Sequence, residues 1–284
     1  MKKINEIIKT KLHYLADCKV DVSLYELKLL MSDVIGVDVK NLCFYDKTLT
    51  EEQLQKFEKY IEMKKNFWPV DKILGKKSFY KLDFEVNCDV LSPRYDTETL
   101  IDEAITLYDK SETINILEFG TGSGCIVISL LDEYKNAKAV GVDISEKALE
   151  VTKTNALKNN VDERLVLINA SWFDEDIDAK INKKFNIIIS NPPYIPSGDI
   201  KGLDNEVKNF DPLIALDGGK DGLRDYRRIC YLTEKLLKDG GFLIFEAGIN
   251  QAFDIIQIAL ANKLKLIKTA KDLGGIERCV ILKK

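Results

Sequence analysis

The chain has 284 residues and a formal net charge of −4, and 45% of its residues are hydrophobic and 31% charged. These proportions are ordinary for a globular protein, and the length suffices for one large domain or for a medium domain with a small one. The acidic balance argues against a protein whose main work is to grip duplex nucleic acid, where a basic face is expected.

Histidine and cysteine usage narrows the possible chemistry further. His13 is the only histidine, and it lies in an amphipathic N-terminal segment, which predicts a surface position. Neither a histidine-dependent nucleophile nor a histidine-ligated metal is therefore expected. The six cysteines are scattered without metal-ligand spacing. The first residues lack the apolar stretch of a secretion signal, and no apolar run reaches about 18 residues, so we expect a cytoplasmic protein without a membrane span.

Residues 1–75 are predicted to form a small helical bundle. Apolar residues recur at helix spacing through this region. Ser23 with Glu26 forms one capping box, and Thr50 with Gln53 forms another, so each pair marks the start of a helix. The pattern by itself assigns no chemistry to the bundle.

Residues 76–92 alternate between apolar and polar side chains in the manner of strands. They predict a linking hairpin whose strands are joined through Asn87–Asp89. Pro93 begins a loop that leads into a helix predicted near 95–109. The third predicted domain therefore covers residues 93–284.

After residue 112, strand-like and helix-like runs alternate, which predicts an α/β domain with a parallel sheet and helices on both faces. A tight turn at 272–275 makes the last two strands an antiparallel pair. The predicted strands are 114–119, 138–143, 165–169, 185–190, 241–247, 264–270 and 276–283. The predicted helices are 124–135, 145–159, 223–239 and 250–262.

A glycine loop follows the first strand of this domain. Its sequence is Gly120-Thr121-Gly122-Ser123-Gly124, and a helix begins directly after it. A strand, glycine loop and helix start are typical of a nucleotide-type site, because glycine lets the backbone approach a ligand closely. The dinucleotide fingerprint needs glycine where this chain has Cys125, so the loop argues against NAD. It suits S-adenosylmethionine, although a glycine-rich turn without a ligand is the alternative.

Two residues at the ends of the next strands are candidates for the same site. Asp143 ends the second strand at the spacing at which a carboxylate meets ribose hydroxyls. Its alternative role as a helix N-cap is already filled by Ser145. Trp172 follows the third strand, where its ring could stack on adenine or could simply cover the strand end.

The segment Asn191-Pro192-Pro193-Tyr194 follows the apolar strand 185–190. Ligands of open α/β sheets bind at the carboxyl ends of the strands. The Asn191 side-chain oxygen and the Pro192 carbonyl would form a close pair of acceptors, suited to a planar NH2 group. Pro193 stiffens this pair, because proline fixes its own φ and restricts the residue before it. Tyr194 would place an aromatic face beside the bound nitrogen.

Several motifs together resemble the HemK/PrmC family of release-factor glutamine N5-methyltransferases, which are class I S-adenosylmethionine-dependent enzymes. The resemblance covers essentially the whole chain. The matching segments are Ser92–Glu98, Glu118–Gly124, Asn191–Ile195, Ala215–Leu223 and Asp272–Arg278. The chain departs from the family pattern at Tyr95, Glu118 and Asp211, which leaves the acceptor pair intact.

The resemblance implies a Rossmann-like, mostly parallel seven-stranded sheet with a C-terminal antiparallel strand pair and a small N-terminal helical domain. It implies that the glycine loop, Asp143, Trp172 and Asn191 hold S-adenosylmethionine, and that Asn191–Tyr194 hold a substrate glutamine. The implied partner is a class I peptide chain release factor, methylated by a monomeric enzyme that needs no stable nucleic-acid contact. Asn191, Pro192 and Tyr194 would be the catalytic residues, and S-adenosylhomocysteine the product.

Two other interpretations stay open from the sequence. An adenine-N6 methyltransferase acting on DNA or RNA also presents an NH2 with two hydrogens, so the Asn191–Tyr194 segment cannot discriminate alone. Such enzymes expose the base and usually carry a basic recognition region. A non-catalytic binding module that keeps the fold is the second alternative.

Overall fold

Residues 4–45 and 48–284 are described by the structure, a computed structural model. Residues 1–3 and 46–47, which belong to the region predicted as a helical bundle, lie outside the described residues. The chain divides into two units. The first comprises 1–76 together with 204–210, and the second comprises 77–203 together with 211–284.

The first unit is helical, as its sequence pattern indicates. Both predicted capping boxes are formed, since Ser23 and Thr50 each accept a hydrogen bond from the third helical residue and receive one back. Leu15, Leu27 and Phe57 are among the fully buried residues that form its core. Its main helices are α1 (Ile4–Asp17), α2 (Leu24–Ile35), α3 (Glu51–Lys65) and α4 (Val70–Leu74).

The second unit contains the strand pair, apart from Lys76 at its start, and an α/β sheet. Its strands are β1 (Lys76–Phe79), β2 (Leu82–Glu85), β3 (Asn115–Phe119), β4 (Lys138–Asp143), β5 (Leu165–Asn169), β6 (Phe185–Ser190), β7 (Leu237–Glu246), β8 (Lys265–Lys271) and β9 (Glu277–Lys283). The remaining helices are α5 (Glu98–Ala104), α6 (Cys125–Glu133), α7 (Glu146–Lys158), α8 (Ile177–Ile181), α9 (Asn205–Phe210), α10 (Arg224–Leu236) and α11 (Ala252–Ala261).

The large sheet has the predicted seven strands, in the order β5-β4-β3-β6-β7-β9-β8. Pairing is parallel from β5 to β7, whereas β9 runs antiparallel to both β7 and β8. The predicted mostly parallel sheet and C-terminal antiparallel pair are therefore confirmed. Alternate residues of the central strands face two separate cores: Leu117 and Ile188 lie in one, and Ile116 and Ile187 in the other. Burial on both faces explains why these strands are apolar without alternation.

The predicted linking hairpin has its turn in another place. Strands β1 and β2 pair with each other, and Tyr80 and Lys81 form the turn between them, with Tyr80 at a φ of +55°. Asn87–Asp89 also lies in a turn, but that turn joins no strands. The prediction failed because tyrosine favours strands, so the pattern gave no turn signal at Tyr80.

Two predicted helix ends also differ from the structure. The helix predicted near 95–109 is a 3₁₀ turn at Tyr95–Thr97 followed by the short α5. The helix predicted over 223–239 ends at Leu236, because Leu237 already pairs with Phe185 as the first residue of β7. Gly240, with a φ of +77°, lies in the first part of this strand, where the pairing with β6 is irregular.

Helix α9 belongs to the first unit, although it is distant from it in sequence. The buried Lys64 ammonium forms ion pairs with Glu206 and, at 3.8 Å, with Glu26. The rings of Trp68 and Phe210 also contact each other, with centroids 4.6 Å apart. A buried lysine is costly unless paired, so the bond from Lys64 to Glu206 links α9 to the helical unit. Across residues 4–45 and 48–284, no helix is long and apolar enough to cross a membrane.

Candidate active site

A cavity of about 360 Å³ opens at the carboxyl ends of the parallel strands in the second unit. Its size lies in the usual range for a small-molecule site. Strands β3, β4 and β6 meet at this edge, so residues that directly follow different strands come together. The predicted site residues that line the cavity are Gly120, Gly122, Asp143, Trp172, Asn191 and Pro193.

The glycine loop exposes its backbone to the cavity. Gly120 and Gly122 line it, with φ of +77° and +56°. Thr121 and Ser123 are buried, and the Thr121 hydroxyl donates to the Val142 carbonyl at 3.2 Å. The Thr121 side chain thus anchors the loop to β4, and neither Thr121 nor Ser123, both predicted to bind the cofactor, is part of the cavity lining.

Gly124 has a packing role at the start of α6. A Cβ placed there would lie 2.7 Å from Ile128 Cδ1 and 2.8 Å from Thr152 Cγ2, and its φ is +81°. Gly124 also lies outside the cavity lining, although it was predicted among the cofactor-binding residues. The loop therefore needs glycine at this position for close helix packing.

Asp143 connects the loop to the second strand. Its two oxygens accept backbone N–H bonds from Gly122 and Ser145, each at 2.9 Å. Burial raises the pKa of the Asp143 carboxyl, and these N–H groups oppose the rise. Each carboxylate oxygen keeps capacity for a further donor, so Asp143 can accept from two vicinal hydroxyls in the cavity. Ser145 caps α7 by accepting from the Ala148 N–H, as predicted.

Trp172 forms a wall of the cavity and also covers the strand end. Its ring packs edge-on against Phe119, with centroids 6.2 Å apart, and its indole N–H donates to Asp225 Oδ1 at 2.9 Å. Arg224 pairs with the other Asp225 oxygen at 3.0 Å. This indole is therefore held in one orientation, with its six-membered ring beside Gly120.

Asn191 lies at the cavity edge directly after β6 and is half-buried. Its side-chain Nδ2 donates to Thr97 Oγ1 at 3.3 Å. With the NH2 end engaged there, the carbonyl end of the amide is the group left to accept from a ligand. Pro192 is buried and, like Tyr194, lies outside the cavity lining.

Comparison with known proteins shows the family to which this chain is similar. Residues 97–203 match the family model "Methyltransferase small domain", and residues 6–75 match "PrmC N-terminal domain". A release factor glutamine methyltransferase from Fusobacterium nucleatum is 35% identical over 98% of this chain and 78% of its own length. One from Agrobacterium fabrum is also 35% identical, over 92% of this chain and 90% of its own.

The chain belongs to the release factor glutamine methyltransferase family. A solved methyltransferase from Pyrococcus furiosus, 20% identical with a TM-score of 0.50 over 72% of this chain and 89% of its own, shares the fold. The family and the fold that the sequence motifs implied are thus confirmed.

In this family member, the 218–222 segment supports the backbone of Tyr194. The Gln251 side chain donates to the Tyr194 carbonyl at 3.0 Å, and a Cβ at Gly222 would lie 2.3 Å from that same oxygen. Ile195 continues the contact, since its carbonyl accepts from the Gly218 N–H at 2.9 Å. The two segments that the resemblance identified separately are therefore packed together.

The Tyr194 hydroxyl lies near several charged side chains. Burial and the nearby Glu246 raise the pKa of Tyr194 to about 12, with Arg278 and Arg94 acting in the opposite direction. The Tyr194 ring packs against the larger core of the second unit. Tyr194 is thus neutral at physiological pH and firmly held.

Sequence reasoning missed several residues of the methyltransferase site. Arg224 and Asp225 line the cavity, as do Pro212 and Ile214. An Arg-Asp pair at the start of a helix directly after a glycine-rich segment is the signal that was available for Arg224 and Asp225. Pro212 and Ile214 have no such signal in the sequence around them. Among the described residues, no group of three or more His, Cys, Asp or Glu side chains is arranged to hold a metal ion.

Proposed function

We propose that this chain transfers a methyl group from S-adenosylmethionine to the side-chain amide nitrogen of the glutamine in the Gly-Gly-Gln motif of class I peptide chain release factors. The main support for the proposal is the position of Asn191. The named relatives of this chain are release factor glutamine methyltransferases. Asn191 lines the cavity while its NH2 end is bonded to Thr97.

The cavity fits an adenosyl group with an amino-acid tail. Its walls include the apolar side chains of Ile144, Ala148 and Trp172, and Asp143 supplies a carboxylate for ribose hydroxyls. The backbone of Gly120 and Gly122 can accommodate the tail, since neither residue carries a side chain there. The rest of the predicted cofactor set, Thr121, Ser123 and Gly124, keeps the loop in this shape.

S-adenosylmethionine would supply an electrophilic methyl group on a positively charged sulfur. An amide nitrogen is a poor nucleophile because its lone pair is delocalised into the carbonyl. Asn191 Oδ1 and the Pro192 carbonyl would each accept one N–H of the substrate amide, which orients the nitrogen and favours positive charge on it in the transition state. Orientation of this kind contributes up to ~7–11 kcal/mol in well-aligned systems.

Asparagine suits this position better than aspartate. Its amide has one donor end and one acceptor end, so a bond from the NH2 to Thr97 fixes where the oxygen points. A carboxylate would accept too, but it could not donate to Thr97, and its burial would be costly. The proton lost from the substrate nitrogen can pass to water after the transfer, so Asn191, Pro192 and Tyr194 need supply no base.

The partner, the products and the location that we propose are inferred from the same family. The partner is a release factor, docked with help from the N-terminal helices, and the products are the methylated protein and S-adenosylhomocysteine. We propose that the enzyme acts in the cytoplasm, as a monomer and without stable nucleic-acid binding. The methyltransferase name of the matching family model supports the cofactor assignment.

Asp143→Asn is expected to weaken S-adenosylmethionine binding about tenfold or more, which corresponds to the loss of one hydrogen bond to a charged group. One of the two carboxylate oxygens that accept backbone N–H bonds is replaced by an NH2, which then faces an N–H donor. The maximal rate at saturating cofactor should change much less, because Asp143 does not contact the acceptor nitrogen in the proposed site. Calorimetry with S-adenosylmethionine, together with steady-state kinetics, separates the two effects. Equal binding by variant and wild type would contradict the role of Asp143.

Tyr194→Phe is expected to keep most of the turnover, whereas Tyr194→Ala should lose most of it. The proposed contact with the substrate amide is made by the ring, and the ring also fills space against the core. Steady-state kcat on release factor measures both variants. Full activity of Tyr194→Ala would remove Tyr194 from the proposed substrate site.

The test of the function is incorporation of labelled methyl from S-adenosylmethionine into purified release factor and, in parallel, into adenine-containing DNA and RNA. Label in release factor that disappears when the Gly-Gly-Gln glutamine is replaced supports the proposal. Label in nucleic acid instead would favour the adenine-N6 alternative. A failure to bind S-adenosylmethionine at all would favour the other alternative, a non-catalytic binding module.

A further inference from the structure

A buried row of hydrogen bonds lies behind Asn191. The Thr97 hydroxyl donates to Glu246 Oε2 at 2.5 Å and lies 3.3 Å from Asn191 Nδ2, which donates to it. Thr97 and Glu246 are each only 2% exposed. None of the roles derived above uses Glu246, and a fully buried carboxylate needs a reason.

Three separate elements bring these groups together. Glu246 is the last residue of β7, and Asn191 directly follows the neighbouring strand β6, with Ser190 paired to Phe245. Thr97 ends the 3₁₀ turn that leads into α5. The adjacency of the β6 and β7 ends is set by the sheet register, so the row does not depend on a flexible loop.

The direction of each hydrogen bond follows from donor and acceptor inventory. An ionised carboxylate only accepts, so the single Thr97 O–H must point to Glu246. The Thr97 oxygen can then only accept from its other neighbour, which must present N–H. Asn191 satisfies this only when its NH2 faces Thr97 and its carbonyl oxygen faces away from it.

We propose that Thr97 and Glu246 are positioning residues that fix which end of the Asn191 amide faces the cavity. The consequence for catalysis rests on the proposed function: with the amide reversed, an N–H would face the NH2 of the substrate, donor against donor. The ionised Glu246 can only accept, so it keeps every hydrogen bond of the row in one direction. A protonated Glu246 could donate to Thr97 instead, which frees the Thr97 hydroxyl to turn and removes that constraint.

The groups around Glu246 set the pH at which the direction of the hydrogen bonds in this row can change. Burial raises the pKa of Glu246 to about 7, and Asp96 adds to the rise, while Thr97, Arg278 and Asn191 oppose it. Arg278 bonds to Asp272, to Asp96 and to the Ala247 carbonyl. The other titratable groups that face the carboxyl are Tyr194, Tyr226, Cys125 and Cys279. Protonation of Glu246 is therefore favoured below neutral pH and lost as pH rises through about 7.

The first test replaces the hydroxyl while keeping the side-chain volume. Thr97→Val is expected to lower kcat about 10- to 100-fold, the scale of a small misplacement of a reacting group, with little change in S-adenosylmethionine affinity. Thr97→Ser keeps the hydroxyl and should restore most of the kcat. Thr233→Val is the matched control, because Thr233 is equally buried and its hydroxyl donates to the Cys230 carbonyl within its own helix. Wild-type kcat in Thr97→Val would overturn the inference.

The second test follows the protonation of Glu246. In the wild type, kcat on release factor should rise with pH through about neutral, and the Glu246→Gln variant should lack that rise. The side-chain NH2 resonance of Asn191, assigned by its loss in Asn191→Ala, should shift over the same pH range in the wild type and not in Glu246→Gln. An Asn191 NH2 resonance that does not shift with pH in either the wild type or Glu246→Gln would overturn the inference. The resonance needs no turnover, so if it shifts while release factor is not methylated, the orientation stands and the proposed function fails.

Discussion

Replacing Asn191 with alanine is expected to lower kcat on a release factor by about 10²–10³-fold, the scale measured when one preorganised hydrogen-bonding group of an active site is removed. The variant loses Oδ1, one of the two proposed acceptors for the substrate NH2, and with it the alignment of nitrogen and methyl. S-adenosylmethionine binding should weaken only modestly, because Asp143, Trp172 and the glycine loop remain in place. Single-turnover kinetics at saturating cofactor, with calorimetry beside them, measure the two effects separately.

Asn136→Ala serves as the control for this prediction. Asn136 is exposed and donates its side-chain N–H to the Ser111 carbonyl, at a distance from the cavity lining. It should keep wild-type kcat and wild-type cofactor affinity. A near-normal rate of Asn191→Ala on release factor would contradict the acceptor mechanism, whereas an equal loss in both variants would point to a general effect on the fold.

Gly222→Ala is expected to reduce both stability and turnover. A Cβ at this position would lie 2.3 Å from the Tyr194 carbonyl oxygen and 2.6 Å from Gln251 Nε2, and the backbone φ is +72°. The left-handed conformation alone costs about 1–2 kcal/mol for a residue with a side chain, and the clash adds to that cost. Because Tyr194 must move, Asn191 and Pro192 move with it, so kcat should fall together with the melting temperature, by roughly 2–4 °C per kcal/mol.

Gly198→Ala is the matched control for the glycine prediction. Gly198 lies in the same stretch of chain after Tyr194, its Cβ position has no heavy atom within 4 Å, and its φ is not in the left-handed range. Thermal unfolding and kcat of this variant should stay near wild type. Gly222→Ala with an unchanged melting temperature and unchanged kcat would mean that the 218–222 segment does not support Tyr194.

The central part of the site could be predicted because of a simple topological rule. Asp143 ends one parallel strand and Asn191 directly follows another strand of the same sheet, and the carboxyl ends of such strands meet at one edge. The strands themselves are continuous apolar runs, whose burial on both faces makes them easy to recognise. Local sequence therefore contains enough information to bring these residues together.

The partners behind the site could not be predicted from local sequence. Thr97, Glu246 and Asn191 come from three distant elements, and their contacts depend on the order of β6 and β7 in the sheet. Helix α9 is a similar case, since its place in the helical unit rests on contacts such as the pair of Lys64 with Glu206. The wrong hairpin turn has a different cause: Tyr80 adopts a positive φ that its residue type does not signal.

The most direct test of the proposed methyl transfer is mass spectrometry of the Gly-Gly-Gln peptide from release factor incubated with this protein and S-adenosylmethionine. The wild type is expected to add the mass of one methyl group, located by fragmentation on the glutamine side chain, and Asn191→Ala almost none. An unmodified glutamine after incubation with folded, S-adenosylmethionine-binding protein, or a methyl group on another residue, would contradict it.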